Sequence, residues 1–218
     1  MRDAYHEELD SLTDKLVEMT RLVRSAISRA TTALLDSDLQ LAESVISRDT
    51  EVNATFEQLE ASIFELMARQ QPVAVDLRMV ITALRMGTDL ERMGDLAVHV
   101  AKVARLRHPD SAIPAEVRPT IVQMGQIAET LVTKAGGCIA SHDVESALEL
   151  EADDDAMDKL HRRLFRNILA KDWPHGVEPA IDITLIGRYY ERYADHAVNV
   201  AGDVVYLVTG SRPTANPS

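Results

Sequence analysis

The stretch LERMGDLAVHVA (residues 90–101) returns 100 residues later as YERYADHAVNVA (190–201). Both copies place a glutamate and an aspartate four residues apart, Glu91 with Asp95 and Glu191 with Asp195. On a helix two acids at i and i+4 share a face and repel each other by a few tenths of a kcal/mol when exposed. Apolar positions on either side keep a three-to-four spacing, and no alternating strand pattern competes with it. The same frame aligns Gly87 with Gly187, Arg92 with Arg192 and Ala97, Val98, Val100 and Ala101 with Ala197, Val198, Val200 and Ala201. A shift of 105 aligns the preceding helices, Asp49 with Asp154, Leu59 with Leu164 and Ile63 with Ile168. The difference of five falls in a loop, where insertions are tolerated.

A repeat of this length defines the organisation of the chain. The spacing predicts six helices in two sets of three. The first carries Leu9, Leu12, Leu16, Met19, Val23, Ala26, Ala30 and Ala33, and stops at Asp36-Ser37-Asp38. The second carries Val45, Val52, Phe56, Leu59, Ile63 and Leu66, ending before Pro72, and the third runs to Arg107. Helix four carries Val117, Ile121, Met124, Ala128, Leu131, Ala135 and Cys138, helix five Leu150, Met157, Leu160, Leu164 and Ile168, and helix six ends near Thr209 and Gly210. Short loops make neighbours antiparallel. The expected fold is therefore all-α, two tandem pseudo-symmetric three-helix bundles. The first spans 1–108 and the second 119–210, with a proline-containing linker at 109–118 and a disordered polar tail at 211–218.

Composition narrows the function classes. Of 218 residues 46% are hydrophobic, only 4% aromatic, and the net charge is −12, which argues against a nucleic-acid footprint and favours cations or basic protein surfaces. The single Cys138 excludes an internal disulfide framework and a cysteine-rich zinc site. The charged N-terminus lacks a signal-peptide core, and no uninterrupted apolar run could span a bilayer, so a cytoplasmic location is expected.

The heptad register puts acids where apolar residues belong. Asp49 sits on the helix-two seam between Val45 and Val52, and Asp154 holds the same place between Leu150 and Met157. Glu91 and Glu191 lie on or beside the seams of helices three and six, flanked by Gly87, Gly94, Gly187 and Ala194. Counting back from the hairpin turns at about 1.5 Å per residue brings Asp49 level with Glu91 to within a turn, and Asp154 similarly with Glu191. Asp95 and Asp195 join from the same faces, and Asn53 and Asp158 offer further oxygens. Carboxylates gathered at a half-buried spot are costly unless protonated or bound to cations. An oxygen-only set suits Mg²⁺, Mn²⁺ or iron, and the choice among Mg, Mn, Fe and Zn stays open. The alternative is a solvated acidic face neutralised by Arg92 and Arg192. His99 is replaced by Asn199 in the repeat and is a doubtful ligand. His161 is read as a satisfied core histidine, Met79, Met86 and Met93 as packing, and Gly136–Gly137 as a close crossing or kink.

The segment QPVAVDLRMVITALRMGTDLERMGDLAVHVAK (71–102), with its QPVAxDLR helix start and LERMGDLA motif, resembles the PhoU family of negative regulators of bacterial phosphate uptake. The resemblance covers about residues 1–210. It implies two three-helix bundles with metal ions on the ExxxD faces, carried over to Glu91, Asp95, Glu191 and Asp195, with Asp49 and Asp154 as the acids of the preceding helices. It also implies an adaptor between the ATPase subunit of the phosphate ABC transporter and the sensor histidine kinase of a two-component system. Such a protein is not an enzyme, has no nucleic-acid partner, can form a homodimer and meets the membrane only through its partners. Tyr190 and Tyr193 depart from the family's aliphatics, and Asn53 stands where the second unit has Asp158. A carboxylate-bridged metalloenzyme is the first alternative; a di-iron site would need Glu-x-x-His motifs that are absent here. A metal-free helical scaffold is the second.

Overall fold

The computed structural model describes residues 2–212, with side-chain burial from residue 7. Six helices follow in order: α1 (Arg2–Asp36), α2 (Leu39–Gln70), α3 (Ala74–Arg107), α4 (Arg118–Ser141), α5 (Val144–Ile168) and α6 (Val177–Thr209). Among the described residues there is no strand. None of the helices is long and apolar enough to cross a membrane.

Local chemistry sets the helix ends. Asp38 and Asp143 cap α2 and α5, each accepting a backbone N–H three residues on, from Leu41 at 2.9 Å and Ser146 at 3.1 Å. Gln71 and His142 close α2 and α4 in the left-handed region, and Gly210 closes α6 there with its N–H bonded to the carbonyl of Tyr206. Pro119 sits in the first turn of α4, where its missing N–H costs nothing.

Helices α1, α2 and α3 pack mutually, as do α4, α5 and α6, and the two bundles meet through α1 on α4 and α3 on α6. Helices α2 and α5 are therefore the outer members. The α1 stripe is buried through Leu12, Leu16, Met19, Val23, Ala30 and Ala33, with Ile27 rather than Ala26 filling the fifth position. One apolar core runs through both bundles. Ala112, Ile113 and Val117 of the connecting segment are buried in it. At the start of the expected tail, Arg212 donates to the buried Asp203 at 2.8 Å. Residues 213–218 lie outside the described ones.

Two contacts join the bundles along α1 and α4. A Cβ on Gly136 would lie 2.7 Å from Thr20 Oγ1, and one on Gly125 2.7 Å from Thr31 Cγ2. Each pair is 11 residues apart on its own helix, about three turns, so the helices cross antiparallel with a threonine seated on each bare glycine. Gly136 thus marks a close crossing, while Gly137 faces open space.

Tyr190 and Tyr193 of α6 seal the same joint. Tyr190 and Tyr193 are fully buried. The Tyr190 hydroxyl lies 2.6 Å from Thr31 Oγ1, which itself donates to the Ile27 carbonyl at 2.7 Å. The Tyr193 hydroxyl donates to the Val23 carbonyl at 3.1 Å. Burial and the missing water push both phenols' pKa values up, so they stay neutral donors. Between α3 and α6, His99 stacks on Tyr189 with ring centroids 5.1 Å apart, and His196 Nδ1 lies 2.8 Å from Asp89. Arg107 forks onto the buried Asp182 at 2.6 and 3.1 Å and also reaches Glu178.

Candidate metal centres on the paired helices

Helices α2 and α3 approach closely where α3 has no side chain. A Cβ on Gly94 would lie 3.2 Å from Val52 Cγ1 and 3.4 Å from Asp49 Oδ1. Asp49 therefore sits at the level of Gly94, between Glu91 and Asp95 along α3. Burial and then Asp95 push the Asp49 carboxyl above its usual range, against a 3.3 Å hydrogen bond donated by Asn53 Nδ2. Burial, Asp95 and Asp49 act on Glu91 in the same direction, opposed in part by Arg92. The Arg92 guanidinium lies 2.9 Å from Asp95 Oδ2 and 3.6 Å from Glu91 Oε2. Asn53, expected as an extra ligand, serves Asp49 as a donor.

The second unit repeats this plan with different neutralising groups. Gly187 lies against Leu164 and His161 as Gly87 lies against Leu59 and Phe56. Asp154 Oδ1 is buried without a hydrogen-bond partner. Burial, followed by Asp195, Asp158, Glu191 and Asp155, raises the Asp154 carboxyl to about 7. Burial and Asp195 also raise Glu191, whose carboxylate is 16% exposed and accepts from Arg188. Arg192 was the expected neutralising partner here, by analogy with Arg92. Arg188 takes that place because three residues on a helix set it beside Glu191; an arginine at i−3 was the available signal.

His161 overturns one sequence expectation. Its Nε2 is buried without a partner, so it is not a satisfied core histidine. Burial and then Arg188 hold its pKa below the usual value, which keeps the ring neutral. Met86 and Met93 are buried packing residues, as expected, and His99 is committed to Tyr189.

The structure thus brings Asp49, Glu91 and Asp95 onto one α2–α3 face, and Asp154, Asp158, Glu191 and Asp195 onto one α5–α6 face. Among the described residues, no three His, Cys, Asp or Glu side chains close round a common point. The residues nevertheless fit a hard cation. All donors of the first cluster are oxygens, the acids raise one another's pKa, and Asp154 Oδ1 is an orphaned buried acceptor. A pH dependence follows for the metal-free protein. Between about pH 4 and 7 native Asp154 keeps a proton that the unfolded chain has released, so stability falls as pH rises through that window. Asp154→Asn is expected to flatten that slope and stabilise the metal-free protein at about pH 8 by about 1–2 kcal/mol, allowing for solvent around the partly buried cluster. Urea unfolding across pH in the presence of chelator measures it.

Fold and site together define a tandem helical-bundle protein with one acid cluster per repeat. A sequence profile described as the PhoU domain matches residues 16–104 and 121–204, one copy in each bundle. The "Phosphate-specific transport system accessory protein PhoU homolog 2" of Mycobacterium tuberculosis is 48% identical over 98% of this chain and 100% of its own length. The homolog 1 protein of Mycobacterium leprae is 47% identical, covering 98% of this chain and 96% of that protein. The crystal structure of PhoU from Pseudomonas aeruginosa superposes with a TM-score of 0.84 at 29% identity, over 95% of this chain and 100% of that one. That of the phosphate transport system regulatory protein PhoU from Streptococcus pneumoniae gives 0.86 at 26%, over 96% and 99%. The chain belongs to the PhoU family, whose members are accessory and regulatory proteins of phosphate transport rather than enzymes.

Proposed function

We propose that the chain is a negative regulator of phosphate uptake and of the phosphate-starvation response. It acts as an adaptor between the ATPase subunit of the phosphate ABC transporter and a sensor histidine kinase, working in the cytoplasm and reaching the membrane through those partners. The observation that carries this is the match to a phosphate-transport accessory protein along nearly the whole chain, with a PhoU domain in each bundle. Regulation by such a protein operates through contact, so a rigid double bundle with a shared core is suited to relay it.

In this proposal the acid clusters hold divalent or transition metal ions. Asp49, Glu91 and Asp95 would hold one set, and Asp154, Asp158, Glu191 and Asp195 the other. A bound cation supplies charge neutralisation and a link between neighbouring helices. The chain's own residues do the rest: Gly94 admits Asp49 to the acid face, and Arg92 and Arg188 screen the carboxylates when no cation is present. Those same arginines favour a metal-free scaffold as the second reading, and metal analysis separates the two. For the regulatory role, deletion of the gene, with any paralogue also removed, is expected to derepress phosphate-uptake genes in phosphate-rich medium. Transcript levels measure this, and unchanged repression would end the assignment.

A further inference from the structure

The pseudo-symmetry of the fold is broken sharply at its two hairpin tips. Under the shift of 105 that relates α2 to α5, residues 56–66 correspond to 161–171. The first window contains Glu57, Glu60 and Glu65 and no lysine or arginine; the second contains Arg162, Arg163, Arg166 and Lys171 and no acid. All four cations are exposed, and none enters an ion pair among the described residues. In a chain of net charge −12 this is a locally positive segment, bordered by Asp158, Asp172 and Glu178.

The same tip exposes apolar side chains that the core does not use. Leu169 is 77% exposed, Val177 75% and Ile181 53%, with Phe165 and Leu185 also open. Arg162, Phe165 and Arg166 share a stripe of α5 that continues in spacing to Leu169 at its C-cap; Val177, Ile181 and Leu185 share one of α6. Single exposed apolar residues need no explanation, but a cluster rimmed by charge marks a contact surface. The opposite tip, at the α2–α3 turn, exposes Phe64, Val73 and Val75 in an acidic setting.

We propose that the outer face of the α5–α6 tip, formed by Arg162, Phe165, Arg166, Leu169, Val177 and Ile181, docks an acidic amphipathic helix of a partner protein. Its counterpart on α2–α3 rejects that helix by charge. An apolar stripe flanked by carboxylates complements this face: leucines cover Leu169 and Val177, and carboxylates reach the guanidinium groups at its rim. The biological meaning of this surface rests on the adaptor function proposed above; its chemistry does not.

The test uses the full-length protein and a labelled amphipathic peptide of about 20 residues, with a leucine stripe flanked by glutamates, beside a twin carrying lysines. The acidic peptide is expected to bind at least about tenfold more tightly than the twin and to weaken with added salt. Arg162→Glu with Arg166→Glu should lower its affinity by about tenfold or more, while Glu57→Lys with Glu60→Lys, which removes the charge that rejects the peptide at the other tip, should not weaken binding and should admit a second peptide. Leu169→Ser is a second, charge-neutral variant expected to weaken binding, and circular dichroism checks that each variant is folded. Equal binding of both peptides, unaltered binding by the folded double variant, or binding only to phosphatidylglycerol vesicles would overturn the proposal. Such a failure, alongside derepression in the deletion strain, would leave the regulatory role standing and remove this face from it.

Discussion

Replacing Tyr190 with alanine is expected to destabilise the chain by about 3–5 kcal/mol, the cost of deleting a fully buried aromatic side chain. The Tyr190 side chain reaches from α6 to Thr31 of α1, so its loss opens a cavity in the joint between bundles. It also leaves Thr31 without its hydroxyl partner, although Thr31 keeps its bond to the Ile27 carbonyl. At about 2–4 °C per kcal/mol for a chain of this size, the melting temperature should fall by about 6–20 °C. Tyr190→Phe keeps the ring and removes the hydroxyl, so about 1 kcal/mol is expected. Thermal and urea unfolding of the two variants separate packing from hydrogen bonding. A small, equal loss in both would mean that the joint is not closed by this residue.

Metal loading is expected to produce the other large effect. A cation that binds only the native clusters stabilises by about 2.7 kcal/mol per site at a hundredfold excess over its dissociation constant, and two sites about double this. Added Mn²⁺ should therefore raise the melting temperature, increasingly as pH rises past 7 and the competing proton leaves Asp154. Removing Glu91, Asp95, Glu191 and Asp195 together by alanine substitution should abolish the increase. Scanning calorimetry with and without chelator reads both results.

Much of this architecture was legible in the sequence because the features that specify it are local or repeated. The break at Asp36-Ser37-Asp38 and Pro72 mark the ends of α1 and α2, and the shift of 100 aligns α3 with α6 residue by residue. The level of Asp49 against Glu91 followed from helical rise alone, and Gly94 fixes it. What lay hidden depends on contacts between the bundles. Tyr190 and Tyr193 read as departures from a family pattern, because nothing in their own helix says that Thr31 and the Val23 carbonyl of α1 await them. The proline-containing connector read as a linker, yet Ala112, Ile113 and Val117 are buried in the common core. His161 falls on an apolar seam, and a heptad register cannot tell a bonded ring nitrogen from an orphaned one. Arg188 was passed over for Arg192 because the repeat favoured the residue with a counterpart in the first unit.

The central claim is that two acid clusters of a phosphate-transport regulator are cation sites. Elemental analysis of protein purified without chelator addresses it most directly. The account predicts metal in both bundles, with about half lost in the Glu91→Ala, Asp95→Ala variant and the remainder lost when Glu191→Ala and Asp195→Ala are added. Wild-type protein that carries no metal, even after incubation with Mn²⁺ or Fe²⁺, would contradict it.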